Sequence, residues 1–418
     1  MVALASAQRL TLETCRQLAR ELYPLSKQYG LIDQSEEYSL SNAARGWLPK
    51  VRFSAMATWQ TDAAQLPEGW APLVAGTSSD QQGIRRDQYR VVLDVSQRIY
   101  DGGRSAAEKD VAKAQAETER RSVDVEMYAL EGRIDDIFFG ILLLEAQQEQ
   151  LEKRIEILEE NKRRCQVLVD NELALESDAD AVEVEMVNAN QAMTQLRYTA
   201  DAYREMLSLL TGWRIEEGTL VMPDNILTLP TATRSDRPEL QLLDAQLAYI
   251  DAQRRLLRTD SKPHLSFFAL GWYGYPGLNM FEDMQSSRWS FNAIAGVRAL
   301  WNVTSLFANR SINDQLYNRQ QQIEVQRDIF NFNNSLQIKQ EDREIARLEQ
   351  TLQDDERIVT LRHSLRTAAE SKYENGIVSI TDVMDAITDE SVAQSAQVLH
   401  QIELLKKKYE LKHTTYAN

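Results

Sequence analysis

The chain has 418 residues, 63 of them acidic and 47 basic, for a formal charge of −16. Phosphate affinity needs clustered Lys and Arg, so nucleic acid is not an expected partner. With 16 glycines and 9 prolines, turn-dense sandwiches and disordered tails are disfavoured and long uninterrupted helices are favoured.

Chemistry-bearing residues are sparse. Cys15 and Cys165 lie far apart with no C-x-x-C and no nearby histidine, which reads as two isolated buried thiols rather than a zinc or redox site. The histidines, His264, His363, His400 and His413, are all beyond helical reach of one another, so metal and triad chemistry has little to work with. No P-loop, G-x-G-x-x-G or G-x-S-x-G is found. No catalytic residue, metal or cofactor is expected, and the chain is not expected to be an enzyme.

In chain order, residues 1–10 come first. Ala5-Ser6-Ala7 has the small-x-small form of a signal-peptidase site without the charged and apolar regions that should precede it, and the segment is expected to be the stub of an export signal. A helix is expected over 11–45. Next, Val51, Phe53, Ala55, Ala57 and Trp59 alternate with Lys50, Arg52, Ser54, Thr58 and Gln60, the period of a strand with one apolar face. After a loop at about 61–88 a second strand, 89–99, sets Tyr89, Val91, Leu93 and Val95 against Arg90, Asp94, Ser96 and Arg98.

From 104 to 170 there is no proline. From Val123 a 4,3 spacing runs through Met127, Leu130, Ile134, Ile137, Ile141, Leu144, Gln148, Leu151, Ile155, Leu158, Lys162 and Cys165, a coiled-coil seam. Asn171-Glu172-Leu173 makes the turn, and Val182, Met186, Ala189, Met193, Leu196, Ala200, Tyr203, Leu207 and Leu210 repeat the pattern on the return, with Ser177 as expected N-cap and Asp180 three residues on. The 67 residues of the descending helix extend ~100 Å, close to the ~87 Å of 178–211 plus 238–261. Gly212, Gly218, Pro223 and Pro230 mark a break between those two.

The second half repeats the first. Pro24 and Pro238 are 214 residues apart, as are Pro49 and Pro263. The offset falls to 201 between Asp101 and Asn302 and is 204 between Asn171 and Asn375. One unit is used twice: 11–235 with strand pair 49–100, helical hairpin 104–211 and equatorial segment 212–235, then 236–418 with strand pair 263–301 and helical hairpin 304–412. Trp289, Phe291, Ala293, Ala295, Val297, Ala299 and Trp301 face one side of the last strand; 264–273, with Phe267, is apolar on both. The second return helix is expected to be capped at Thr381.

Ten-residue strands with one apolar face and aromatics at their ends suit a lipid-facing barrel. The expected lipid face carries Val51, Phe53, Trp59, Val91, Leu93, Phe267, Trp289, Phe291 and Val297. The longest apolar run, Ile137 to Leu144, is far short of the ~20 residues of a membrane helix. Four strands cannot close a barrel, and an open edge in lipid leaves backbone groups unsatisfied at several kcal/mol each. Oligomerisation is required: two copies give eight strands and a filled interior, three give twelve and a lumen.

Leu10-Thr11-Leu12-Glu13, Leu48-Pro49, Ile99-Tyr100-Asp101-Gly102-Gly103-Arg104, Tyr273-Gly274-Tyr275-Pro276-Gly277, Tyr373-Glu374-Asn375-Gly376 and Thr381-Asp382-Val383-Met384-Asp385-Ala386 occur in order across the duplicated chain. In this it resembles the TolC-type outer-membrane efflux family over essentially its whole length. The resemblance implies a mostly α protein with a membrane β-barrel, a homotrimer with a twelve-stranded barrel in outer-membrane lipid and a twelve-helix periplasmic tunnel. It implies an exit duct of tripartite efflux or type I secretion for small molecules or polypeptides, partnered by a periplasmic membrane-fusion adaptor and an inner-membrane RND, ABC or MFS transporter. It places an entrance gate at Asp382 and Asp385, and an adaptor-docking tip at Asn375, Gly376, Ile377, Val378, Asn171, Glu172 and Leu173. Asp178, Asp180, Glu183 and Glu185 read as solvation of the first hairpin. The negative charge suits a tunnel that favours cations. Two departures stand out: Asn302-Val303-Thr304 replaces Asp101-Gly102-Gly103, and the first turn lacks a glycine. The competing reading is a periplasmic coiled-coil adaptor without a barrel.

Overall fold

The computed structural model describes residues 9–65, 83–172, 174–223, 237–285 and 287–416. Residues 1–8 of the expected signal stub, Leu173 and Pro230 lie outside these. The elements are α1 (Leu12–Leu22), α2 (Ser26–Arg45), β1 (Lys50–Trp59), β2 (Asp87–Tyr100), α3 (Arg104–Asp170), α4 (Glu176–Thr211), α5 (Pro238–Thr259), β3 (His264–Tyr275), α6 (Met280–Gln285), β4 (Ser290–Leu300), α7 (Ser305–Glu374) and α8 (Ile380–Thr415). Among the described residues no helix is long and apolar enough to cross a membrane.

Packing divides the chain into two compact units, one from 1–31, 120–243 and 324–418, the other from 32–119 and 244–323. Each draws on both halves of the sequence, so the units of packing cut across the expected repeats.

In the first unit the heptad positions behave as the spacing requires: from Val123 to Cys165, and from Val182 to Leu210, every seam residue is buried or half-buried. Leu158, Val182, Ala189, Ile380, Val383, Met384 and Ile387 form one core cluster, joining α3, α4 and α8. Both cysteines are free and buried. Burial pushes the Cys15 thiol up to about 12, with Glu13 adding to the shift.

The single helix expected over 11–45 is two. Tyr23 precedes Pro24, whose ring disfavours the α region for the residue before it, and Tyr23 is extended at φ −61°, ψ 132°. Leu10 bridges to Leu220, with its N–H donating to Thr219 O at 2.9 Å and its carbonyl accepting from Val221 N at 3.0 Å. Arg16 donates two hydrogen bonds to the buried Asp135, at 2.8 and 2.5 Å. Arg20 pairs with Glu131. His413 stacks on Tyr128 at 3.8 Å between centroids, and the Tyr128 hydroxyl donates to the His413 carbonyl.

In the second unit the four strands form one antiparallel sheet in the order β1-β2-β3-β4. The central pairing, β2 with β3, joins the two repeats, and β1 and β4 are its edges. The two strand-to-helix junctions differ as their sequences do. Asp101 accepts from Gly103 N at 2.9 Å, Ser105 N at 2.9 Å and Ser105 Oγ at 2.5 Å, while Gly102 and Gly103 sit at φ 66° and 88°. That left-handed pair lets the chain turn against the segment that follows α5, where a Cβ on Gly102 would come within 2.8 Å of Lys262 Cβ. At the second junction Ser305 Oγ donates to Asp260 O at 2.9 Å and Asn302 O at 2.6 Å. Neither Asn302, Val303 nor Thr304 has a positive φ, so Asn302-Val303-Thr304 serves without glycine.

Candidate functional sites: a two-faced sheet and two hairpin turns

Residues directly opposite in an antiparallel pair point to the same side, so the register defines each face of the sheet. Phe53, Leu93, Gly271 and Ala293 form one cross-strand line. Val51, Val95, Ala269 and Ala295 form the next on that side, with Gln97, Phe267 and Val297 beyond it and Ala55, Val91, Tyr273 and Phe291 in the other direction. All but Gln97 are apolar or aromatic. Of the nine residues expected to face lipid, eight lie in these strands and share this side; Trp289 immediately precedes β4. Phe53 and Phe291 are 72% and 76% exposed in the single chain, so the unit itself does not cover this face.

Aromatics gather at both ends of the apolar side. Trp59, Tyr89, Tyr273 and Trp289 stand at the loop end, where Trp289 is stacked with Tyr89 at 6.4 Å between centroids and lies at a tilt to Tyr273 at 5.5 Å. At the other end a bulge between Arg98 and Tyr100 brings Tyr100 opposite Leu265, onto the apolar side. Trp301 Nε1 donates to Ser261 O at 3.0 Å.

The opposite side carries Arg52 and Asp94 beside Leu270 and Ile294, then Lys50 and Ser96 beside Phe268, then Arg98, Ser266 and Arg298. The uncertainty over 264–273 is thus resolved by the register. Phe267, Ala269 and Gly271 share the apolar side; Phe268, Leu270 and Trp272 line the polar one, where Trp272 is buried. An Arg or Lys at mid-bilayer on a barrel's lipid face costs ~2–4 kcal/mol, so this side has the chemistry of a face turned away from lipid. The strands exceed expectation by one or two residues at some ends, and α6 was not expected from the sequence. It is held by Gly277 N donating to Asp283 Oδ2 at 2.6 Å and by Met284 packing with Ile84 and Tyr275.

In the first unit the two hairpin turns share one backbone. Glu172 has φ 59° and Gly376 φ 69°, 204 residues apart. Asn171 Nδ2 donates to Val167 O at 2.6 Å, and Asn375 Nδ2 to Ser371 O at 2.7 Å. Where glycine was missed, glutamate takes the left-handed angle. A Cβ on Gly376 would meet nothing within 4 Å. Ile377 is 69% exposed, whereas Val378 is half-buried. Asn171, Glu172, Asn375 and Gly376 are all exposed.

The caps differ from expectation by two residues. α8 is capped by Ser379, not Thr381: Ser379 Oγ accepts from Asp382 N at 3.3 Å and donates to Asp382 Oδ2 at 2.6 Å, and Ser379 N donates to the same oxygen at 2.8 Å. α4 starts after Leu175, not Ser177, with Leu175 N donating to Asp178 Oδ2 at 3.1 Å. Leucine stands where the second repeat has serine, so the cap signal was absent and the next Ser-x-x-Asp was read instead.

Asp382 is therefore a capping carboxylate, held below the usual carboxylate range by the Ser379 side chain and backbone. Asp385, three residues on, is exposed. Of the first hairpin's acids, Glu183 pairs with Lys162, and Glu185 accepts from Arg154 at 3.0 Å. Arg154 also reaches Thr388 Oγ1 at 3.1 Å, and Tyr373 OH approaches Cys165 Sγ at 3.9 Å. The two hairpins are thus tied to each other behind their turns.

No protein-family model and no curated protein sequence matches the chain. Solved structures do. The outer membrane protein VceC from Vibrio cholerae superposes with a TM-score of 0.69 at 13% identity, over 97% of this chain and 95% of that one. The Neisseria gonorrhoeae MtrE outer membrane channel in its open state gives 0.67 at 14%, over 99% and 93%. CusC, described in connection with transmembrane channel formation, gives 0.69 at 14%, over 97% and 91%. The chain has the TolC-type fold of outer-membrane channels.

Proposed function

We propose that this protein is an outer-membrane exit duct, reaching into the periplasm, of a tripartite efflux or type I secretion system. It works as a homotrimer, passing small molecules or polypeptides handed on by a periplasmic membrane-fusion adaptor from an inner-membrane RND, ABC or MFS transporter. The observation that carries this reading is the sheet: one side apolar but for Gln97, exposed at Phe53 and Phe291 in the single chain, between two strands whose outer edges are unpaired among the described residues. In lipid those edges must pair, because water is not there to satisfy them, and β4 of one copy against β1 of the next does so. Three copies supply twelve strands and a lumen. The adaptor is assigned to Asn171, Glu172, Leu173, Asn375, Gly376, Ile377 and Val378, and the entrance gate to Asp382 and Asp385.

The outer-membrane fraction, extracted in detergent, tests it by native mass measurement and heat-modified gel mobility. The expected result is a trimer by mass, whose unheated band runs slower than the single chain released by heating. A monomer stable in water without detergent would instead favour the adaptor reading, which leaves the apolar side of the sheet unexplained.

A further inference from the structure

The polar side of the sheet has the opposite sign to the rest of the chain. The protein as a whole carries −16, yet this side holds Lys50, Arg52, Arg90, Arg98 and Arg298 against the single acid Asp94. Four of the five basic residues crowd one end. Lys50 and Arg52 open β1, while Arg98 and Arg298 are each two residues from the close of β2 and β4. These are the strand ends connected to α2, α3 and α7. Arg98 and Arg298 share one cross-strand line with Ser266 between them; Lys50 is on the next line and Arg52 on the one after. Two strand spacings separate Arg98 from Arg298, roughly 10 Å at the backbone, a gap that two arginine side chains readily span.

Little in the chain neutralises this group. Among the described residues no ion pair or hydrogen bond engages the side chain of Lys50 or Arg52. Asp94 is opposite Arg52 but forms no ion pair with it. The acid near Arg98, Asp101, accepts from Gly103 and Ser105 and offsets the Arg98 charge only in part, leaving Lys50, Arg52 and Arg298 without an acid in contact. Arg298 lies over the Phe268 ring at 4.8 Å, a contact that fixes the position of a charge without cancelling it. Gly296 makes room for that ring, since a Cβ there would come within 3.1 Å of it. Like charges in excess on one side of a sheet repel one another, and a bound anion relieves the repulsion while accepting their N–H groups.

We propose that Lys50, Arg52, Arg98 and Arg298 form an anion-binding collar on the inner side of the barrel, and that the cargo it favours is organic anions bearing two or more carboxylate, phosphate or sulfate groups. The proposal rests on the duct reading, because the polar side encloses a lumen only when copies join. Three copies then bring twelve cations and three Asp94 carboxylates to one level of the passage. The collar acts on what the acidic entrance would otherwise disfavour, giving the duct two zones of opposite sign.

Planar-bilayer recording of the full-length protein tests it, with tripolyphosphate as probe at about 0.1 M salt, where the Debye length is ~10 Å. The parent channel is expected to be blocked by the probe. K50Q/R52Q/R98Q/R298Q should still conduct but need at least about tenfold more probe for the same block, with its reversal potential moved toward cation selectivity. R98K/R298K keeps the charge and should keep the block. R90Q, at the other end of the same side, should shift it less than the quadruple variant. A conducting parent that the probe does not block, or blocks no better than it blocks the quadruple variant, overturns the collar and leaves the duct intact. Failure of the parent to conduct at all overturns the duct reading, and the collar with it.

Discussion

In the sheet, Phe53 and Ser54 are neighbours on one extended backbone and differ in the side they face. At the hairpin turns, Glu172 and Gly376 share little except a left-handed φ of 59° and 69°. The first region is specified by side chains on a generic backbone, the second by a particular backbone that accepts different side chains. A change of polarity should therefore be decisive in the sheet and mild at the turns, and a change of backbone freedom the reverse.

The largest effect should come from reversing polarity in the sheet. Phe53→Arg or Val297→Arg is expected to block membrane assembly, at ~2–4 kcal/mol per site and per copy, whereas Ser54→Arg is tolerated. Heat-modified mobility of the outer-membrane fraction reads this directly. Equal damage from Ser54→Arg would mean the two sides are not distinguished by the membrane.

At the entrance the comparison predicts separable roles for two nearby acids. Asp382→Asn keeps an acceptor for the Ser379 cap while removing the charge, and Asp385→Ala removes an exposed carboxylate. Together they should lower cation preference and block by multivalent cations without fraying α8; Asp382→Ala should do both. Conductance and circular dichroism separate these outcomes. Unchanged selectivity in Asp382→Asn/Asp385→Ala would show that these carboxylates serve the helix and not the passage.

A pH response should appear in the helical unit. Burial lowers the His413 pKa from 6.5 to about 4, helped by Arg16 and Arg237 and opposed by Asp136. The unfolded chain then binds more protons than the folded one between those values, so stability is complete above pH ~6.5 and is lost as pH falls toward 4. Hydrogen exchange along α8 should quicken over that window, and His413→Phe should flatten the response. A profile unaltered by that substitution would assign the effect to other groups.

The smallest effect lies at the turns. Gly376→Glu installs the residue that the first repeat already uses at this angle, with open space around it, and should cost only ~1 kcal/mol. Glu172→Gly should recover a similar amount. Thermal unfolding measures both. With the adaptor assigned to this tip, Gly376→Glu should nonetheless impair export from an intact trimer; normal export would move the docking surface elsewhere.

How far the sequence carries depends on the same distinction. Two faces of a strand and the seam of a coiled coil are periodic in polarity, so Phe53, Val297 and the run from Val123 to Cys165 were readable from spacing alone. The place of the first turn at Asn171 and Glu172 was readable too, but its left-handed angle was not, because such an angle at a non-glycine residue leaves no mark in composition. The cap at Leu175 escaped for a related reason: both of its hydrogen bonds, to Asp178 Oδ2 and from Asp178 N, use the Leu175 backbone. The break at Tyr23 was legible in Pro24 and was overridden by the helical pattern on either side. In 264–273, both faces are apolar and periodicity cannot choose between them; only pairing to β2 and β4 does. The basic group at Lys50, Arg52, Arg98 and Arg298 is scattered over nearly 250 positions of sequence, and register alone assembles it.

The order β1-β2-β3-β4 has a consequence for how copies meet. Both repeats of one chain are already joined through β2 and β3, so the surfaces left to meet are unlike: the outer edge of β1 and the outer edge of β4. Contact between copies through them is head-to-tail, and such contacts make a ring when each step turns by the right angle and an open filament when it does not. Joining the β1 edge of one copy to the β4 edge of the next therefore ends only when the ring closes. A free strand with the sequence of residues 50–59 would occupy the β4 edge by the same main-chain bonds, ending the row at one copy and leaving the ring unclosed.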